Sequence, residues 1–249
     1  MDYAAALIEQ NHQLGELLRD ADWSTPVPTC PGWTLSQLLR HVGRGDRWAA
    51  QIIADRVDSG LDPRAVRDGK PPDDVSGAMQ WFLDSPRTLL AAAEAVGENT
   101  EVWTFLGLKP ASWWVRRRLH EATVHRADAA VALDVRYELS AELAADGISE
   151  WLDRLVEEQA LGRPTSLPAE TSLALRATDP GLATNAWTVH GGAQGVRWTD
   201  QPADADVSLS GPATDLLLAM VRRRSVDDVD IRIEGDAALW RSWLELTPL

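Results

Sequence analysis

The hydrophobic pattern changes its period once along the chain, and this change limits the folds that are possible. Up to about residue 161, apolar side chains recur every three or four residues, as they do on one face of a helix. After Pro164 the segments are short, alternate between apolar and polar residues, and end at Gly, Pro or Asp. The sequence therefore predicts a helical N-terminal domain, residues 1–163, and a smaller α+β domain, residues 164–249.

The elements of both domains follow from the same patterns. Five helices are predicted in the first domain, at residues 4–19, 34–57, 77–96, 112–133 and 141–161. The second of them is expected to begin at a capping box, because Gln37 follows Thr34 by three residues. Residues 58–76 form a long loop, and Pro86 predicts a bend in the third helix. The second domain has the order ββββαβα, with strands at 172–178, 185–190, 194–198, 206–210 and 229–234, and helices at 213–223 and 237–246.

Charge and composition exclude several classes of partner. The net charge of −14 argues against nucleic acid, because phosphate binding depends on Lys and Arg. No apolar run approaches the roughly 18 residues that a membrane span needs, and the N-terminus shows no secretory signal pattern. The single cysteine, Cys30, cannot form an internal disulfide. We therefore expect a cytoplasmic protein without a membrane partner, either a monomer or a homodimer.

His41 is the first candidate for a functional side chain. It shares the steps of three and four residues that join Leu38, Gly45, Trp48 and Ile52, which define one inward face of the second helix. The spacing predicts an imidazole that points towards the core of the bundle. A lone inward histidine is more often a hydrogen-bonded core residue than a metal ligand, so both interpretations stay open here.

The fourth helix contains the second candidate group, in the segment RLHEATVHRAD. His120 and His125 are five residues apart, about 140° around the helix, so they cannot bind one ion as the histidines of an HExxH zinc motif do. Glu121 and His125 are four apart and share a face. With His41 they would form a three-ligand set with an open position, typical of a catalytic metal. The alternative is an ordinary charged helix face.

Two segments resemble a known family. TCPGWTLSQLLRHVG and RRRLHEATVHRADAAVAL are similar to the signature segments of the mycothiol-dependent maleylpyruvate isomerase family, whose first domain is a DinB-like bundle of four or five helices. The segment LLLAMVRRRSVDDVDIRIEGDAALWRSWLEL resembles the family's second, sterol-carrier-like domain. The resemblance implies that His41, Glu121 and His125 hold a divalent metal, with zinc preferred, and that mycothiol is the cosubstrate.

The resemblance and the metal set together suggest a reaction class. We expect a low-molecular-weight thiol, bound as thiolate, to attack a small electrophile that bears a carboxylate, giving isomerisation or S-transfer. Arg118, Arg223 and Arg224 are the candidate catalytic residues that would contact this carboxylate. Cys30 is expected to shape the loop before the second helix. Hydrolysis or lyase chemistry without a thiol, and a non-enzymatic protein that binds a small molecule, remain alternatives.

Overall fold

The computed structural model describes residues 1–163 and 167–247. The chain divides into two compact units, Met1–Tyr137 and Glu138–Leu249. The predicted second domain begins at residue 164, which lies outside the described residues. No helix in the described part of the chain is long and apolar enough to cross a membrane.

The first unit, all of which the structure describes, is a four-helix bundle with one short hairpin. Its elements are α1 (Tyr3–Leu18), α2 (Leu35–Asp55), α3 (Val75–Val96), β1 (Glu101–Thr104), β2 (Gly107–Pro110) and α4 (Ala111–Ala132). Helix α2 packs mainly on α3, and α1 packs mainly on α4. The long loop between α2 and α3 contains a single turn of 3₁₀ helix at Pro63–Ala65. The sequence patterns did not predict the hairpin, which takes the place of a short connection.

Local signals fix the start and the packing of α2. The predicted capping box is present, with the Thr34 amide donating to Oε1 of Gln37 at 2.8 Å. The loop before α2 is hydrogen-bonded to the residues that lead into the helix, because the Val27 amide donates to the Trp33 carbonyl at 2.9 Å. A Cβ on Gly43 would lie 2.5 Å from the indole ring of Trp81, so glycine allows α3 to approach α2 closely. These contacts hold the first half of α2 in place.

The second unit has an α+β fold, as predicted. It contains α5 (Ala141–Ala160), β3 (Ser172–Ala177), β4 (Ala186–Gly192), β5 (Gly195–Thr199), β6 (Val207–Gly211), α6 (Ala213–Met220), β7 (Arg232–Gly235) and α7 (Ala237–Leu246). The strands form a five-stranded sheet in the order β5-β4-β3-β6-β7, in which β3 and β6 are parallel and all other pairs are antiparallel. After α5, the order of helices and strands, ββββαβα, is the predicted one.

Three predicted boundaries differ clearly from the structure, the first being the start of β7, which lies at Arg232 and not at residue 229. Helix α5 was expected in the first domain but belongs to the second unit, because it packs on α6 and β5. Helix α6 ends at Met220 and not at residue 223. The chain turns there, since Arg222 adopts a left-handed conformation with φ of 57°. Pro86 lies inside α3, which continues as one helix through that position.

Candidate metal centre

Three side chains from two helices of the first unit converge at one point. Glu121 and His125 lie one turn apart on α4, and His41 comes from α2. Nε2 of His41 lies 3.0 Å from Oε1 of Glu121, and Nε2 of His125 lies 3.4 Å from the same oxygen. One ligand atom from each residue lies within 4.8 Å of the other two. The structure thus brings together the three residues predicted as metal ligands.

The spacing of these atoms suits a small divalent ion. Zinc is bound by imidazole nitrogen and carboxylate oxygen at about 2.0–2.2 Å, and tetrahedral angles then place neighbouring donors about 3.3 Å apart. The two separations from Oε1 of Glu121 are 3.0 and 3.4 Å. These two separations therefore match the spacing of donors around such an ion, and three protein donors leave a fourth position open.

The site opens on the side of His41. Its side chain is 40% exposed, whereas that of His125 is 9% exposed. The imidazole of His41 therefore lies at the rim of the bundle, which corrects the expectation that it points into the core. The ring of Trp33, from the loop before α2, lies 4.8 Å from the His41 ring and 6.0 Å from the His125 ring. One side of the pair is thus covered by an indole.

A buried carboxylate supports His125 from behind. Oδ2 of Asp128 lies 2.8 Å from Nδ1 of His125, and Asp128 is fully buried. The Thr29 hydroxyl donates to Asp128 at 2.6 Å, and the Cys30 thiol donates at 3.4 Å. An ionised carboxylate only accepts, so Nδ1 carries the proton and Nε2 faces the site. Burial lowers the pKa of His125, but hydrogen bonds with neighbours such as Asp128 and Cys30 outweigh it and raise the pKa to about 10.

Glu121 is held as an anion by its surroundings. Burial raises the pKa of its carboxyl group, but hydrogen bonds with His125 and His41 hold that pKa well below the usual range. Arg117 adds to this effect, because its Nη2 donates to Oε2 of Glu121 at 2.8 Å. Burial also lowers the pKa of His41, against the opposing hydrogen bond with Glu121. These shifts favour a carboxylate at Glu121 and a neutral imidazole at His41, the forms that bind metals, whereas the raised pKa of His125 means that this residue must release a proton when it binds one.

The guanidinium of Arg118 binds buried groups of the protein itself. Its Nε donates to Oδ1 of Asp46 at 2.9 Å and its Nη2 donates to the Val42 carbonyl at 3.0 Å. A Cβ on Gly45 would lie 2.5 Å from Nη1 of Arg118, so this glycine makes room for the guanidinium on α2. Burial raises the pKa of Asp46 to about 6, although Arg118 opposes the shift. A buried carboxylate thus pairs with the guanidinium, and the contact of Arg118 with a substrate carboxylate stays a prediction.

The other sequence candidates lie elsewhere. Arg223 and Arg224 follow α6 in the second unit, where Nη1 of Arg223 donates to the Val221 carbonyl at 2.9 Å and Arg224 is exposed. Their contact with substrate stays a prediction. His120, which the spacing excludes as a partner of His125, is 3% exposed and therefore buried. Cys30 lies in the loop before α2, as expected, and contacts the carboxylate that supports His125.

Sequence reasoning missed several supporting residues. Arg117 and Asp128 could have been found, because they lie four residues before Glu121 and three residues after His125 on the same helix. Asp46 gave no such signal, since its partner Arg118 is 72 residues away. Trp33 could not be predicted from spacing either, because the path of the loop before α2 brings its indole close to the two histidines.

Comparisons with known proteins agree with this architecture. Residues 4–130 match the family model described as the mycothiol maleylpyruvate isomerase N-terminal domain, and residues 142–242 match the MDMPI C-terminal domain. Among curated proteins, none matches the chain.

Two similar solved structures are the crystal structure of the mycothiol-dependent maleylpyruvate isomerase and that of a histidine-to-alanine mutant of it. Each aligns with a TM-score of 0.57 at 16% sequence identity, over 92% of this chain and 91% of the other. This likeness shows a shared fold, and the two family models together span most of the sequence. The predicted family is therefore confirmed, and the chain belongs to the mycothiol maleylpyruvate isomerase family.

Proposed function

We propose that this chain is an enzyme that uses a divalent metal and mycothiol. It would either isomerise a small electrophile or transfer the thiol to it. The observation that carries the proposal is the convergence of His41, Glu121 and His125 in a site that is open on one side. Membership of a family named for a mycothiol-dependent isomerase supports the choice of thiol. The two-nitrogen, one-oxygen donor set favours zinc, which when bound would hold a thiol as its nucleophilic thiolate at neutral pH.

The chain's own residues would prepare this site in three ways. Asp128 orients His125 through Nδ1, so that Nε2 faces Glu121. Arg117 keeps Glu121 ionised and fixes one of its oxygens. The indole of Trp33 covers one side of the histidine pair and reduces the access of water there. The exposed side of His41 leaves a path for a cosubstrate to approach.

The chemistry requires no oxidant or reductant. A thiolate adds to one carbon of a double bond that a carbonyl group activates, and the resulting single bond rotates. Elimination of the same thiolate restores the double bond in the other geometry and regenerates the thiolate. In S-transfer, the thiolate instead displaces a leaving group and remains as a thioether. We propose that the substrate bears a carboxylate, which Arg223 or Arg224 would bind. We also propose that the protein works in a reducing cytoplasm.

Titration with mycothiol tests the proposal. The zinc-loaded wild-type protein should bind the thiol and release a proton, and the His41→Ala, His125→Ala double variant should take up neither zinc nor thiol. His12→Ala is the matched control, because the His12 side chain is 57% exposed and pairs with Glu16 on α1. Unchanged mycothiol binding by the double variant would contradict the proposal. Full turnover of an electrophile without any added thiol would instead support hydrolysis or lyase chemistry.

A further inference from the structure

The two oxygens of Glu121 have different partners. Oε1 faces both imidazoles, 3.0 Å from Nε2 of His41 and 3.4 Å from Nε2 of His125. Oε2 accepts a hydrogen bond of 2.8 Å from Nη2 of Arg117, which lies one helical turn earlier on α4. One oxygen is therefore placed among the donor atoms, and the other is engaged by a guanidinium.

The contact with Arg117 is suited to fixing a carboxylate. The side chain of Arg117 is 9% exposed, so water screens its attraction to Glu121 only weakly. A guanidinium is planar and permanently charged, and its hydrogen bonds to carboxylates are among the strongest in proteins. An oxygen held in this way is less available as a second ligand atom to an ion bound at Oε1.

The next residue, Arg118, is not hydrogen-bonded to the Glu121 carboxylate. Nη1 of Arg118 lies 3.8 Å from Oε1 of Glu121, beyond hydrogen-bond distance, while Nε of Arg118 is bound to Asp46 at 2.9 Å. The next arginine on the helix, Arg116, places its guanidinium 5.8 Å from the ring centre of Tyr3 on α1. Three consecutive arginines thus have three different surroundings, and Arg117 is hydrogen-bonded to Glu121.

We propose that Arg117 is a positioning residue that keeps Glu121 a one-oxygen ligand and so preserves a coordination position for the thiol. This inference rests on the proposed function. Without Arg117, Oε2 is free to turn towards the ion, where it would occupy the position that the thiol needs. Changes in the groups that orient metal ligands typically cost about 10-fold to 100-fold in metal affinity or activity. We expect thiol affinity to fall by at least about 10-fold.

The test compares Arg117→Met with Arg116→Met, which removes the same charge from the adjacent residue of α4. Both proteins are loaded with Co²⁺, whose visible absorption is strong in four-coordinate sites and weaker in five-coordinate ones, and are then titrated with mycothiol. We expect weaker absorption and about 10-fold weaker thiol binding for Arg117→Met, and wild-type behaviour for Arg116→Met. A folded Arg117→Met protein with the wild-type spectrum and thiol affinity would overturn the proposal.

A structure of the zinc-loaded wild-type protein keeps the proposal testable if Arg117→Met fails to fold. We expect Oε1 of Glu121 on the ion and Oε2 on Arg117, and two carboxylate oxygens on the ion would overturn the proposal. The proposed function fails separately, if the wild-type protein takes up no metal or if its metal-loaded form binds no thiol. Metal uptake and thiol binding with no effect of Arg117→Met would remove the role of Arg117 alone.

Discussion

Replacing Arg118 by methionine should destabilise the first unit strongly. The change removes the guanidinium that binds the fully buried carboxylate of Asp46 and the carbonyl of Val42. Breaking a buried ion pair by removing one partner costs about 3–5 kcal/mol, because the remaining charge is left without compensation. We therefore expect the free energy of unfolding of Arg118→Met at pH 8 to fall by about 3–5 kcal/mol, measured by urea denaturation.

The double variant Asp46→Leu, Arg118→Met is the matched control. It removes both charges, so it should lose much less stability than Arg118→Met alone. A loss of less than about 0.5 kcal/mol in the single variant would refute the reasoning. That result would mean that Arg118 does not hold Asp46, and the guanidinium would then be available for a substrate carboxylate.

The same pair predicts a dependence of stability on pH. The pKa of Asp46 is raised to about 6 in the folded protein, above its value of about 3.9 in an unfolded chain. The folded state therefore keeps a proton that the unfolded chain has lost. This contribution to stability is complete below about pH 4 and is lost as the pH rises through 6, a change of about 3 kcal/mol. Asp46→Asn should lack it, which a comparison of urea unfolding across this range will show.

Three further predictions concern other residues. Asp128→Asn should lower zinc affinity about 10-fold to 100-fold, since His125 loses the carboxylate that orients it. Competition for zinc with a chelating dye measures this affinity, and an unchanged affinity would contradict the prediction. Burial raises the pKa of Tyr137 to about 12, so tyrosinate absorbance should show one group titrating near that pH, and Tyr137→Phe should abolish it. Arg224→Gln should raise KM for a carboxylate-bearing substrate with little change in thiol affinity. The control Arg222→Gln should leave KM unchanged, and equal effects of the two changes on KM would argue against contact between Arg224 and the substrate.

Local patterns in the sequence predicted much of the fold. The capping box at Thr34 and Gln37 was predictable because both partners lie within one turn. Glu121 and His125 were predictable as a pair for the same reason, since a four-residue step places two side chains on one face. The alternating segments after residue 167 predicted the strands of the second unit and their order along the chain.

The remaining features depend on contacts that no local pattern records. The helical period of α5 predicts a buried face but does not say which unit buries it. Strands β1 and β2 have four residues each, too few to show alternation. The pairing of Asp46 with Arg118 joins positions 72 residues apart, and only the approach of α2 to α4 reveals it. Family resemblance, and not spacing, carried most of the prediction of the site.

The metal content of the purified protein tests the central claim most directly. We expect elemental analysis to find a single divalent ion, zinc, for each wild-type chain, and to find none in the Glu121→Ala variant, which lacks the carboxylate that both histidines face. The His12→Ala control should retain its ion. A wild-type protein that takes up no divalent metal even when it is offered, or a Glu121→Ala variant that keeps the full complement, would contradict the assignment of His41, Glu121 and His125 as a metal centre.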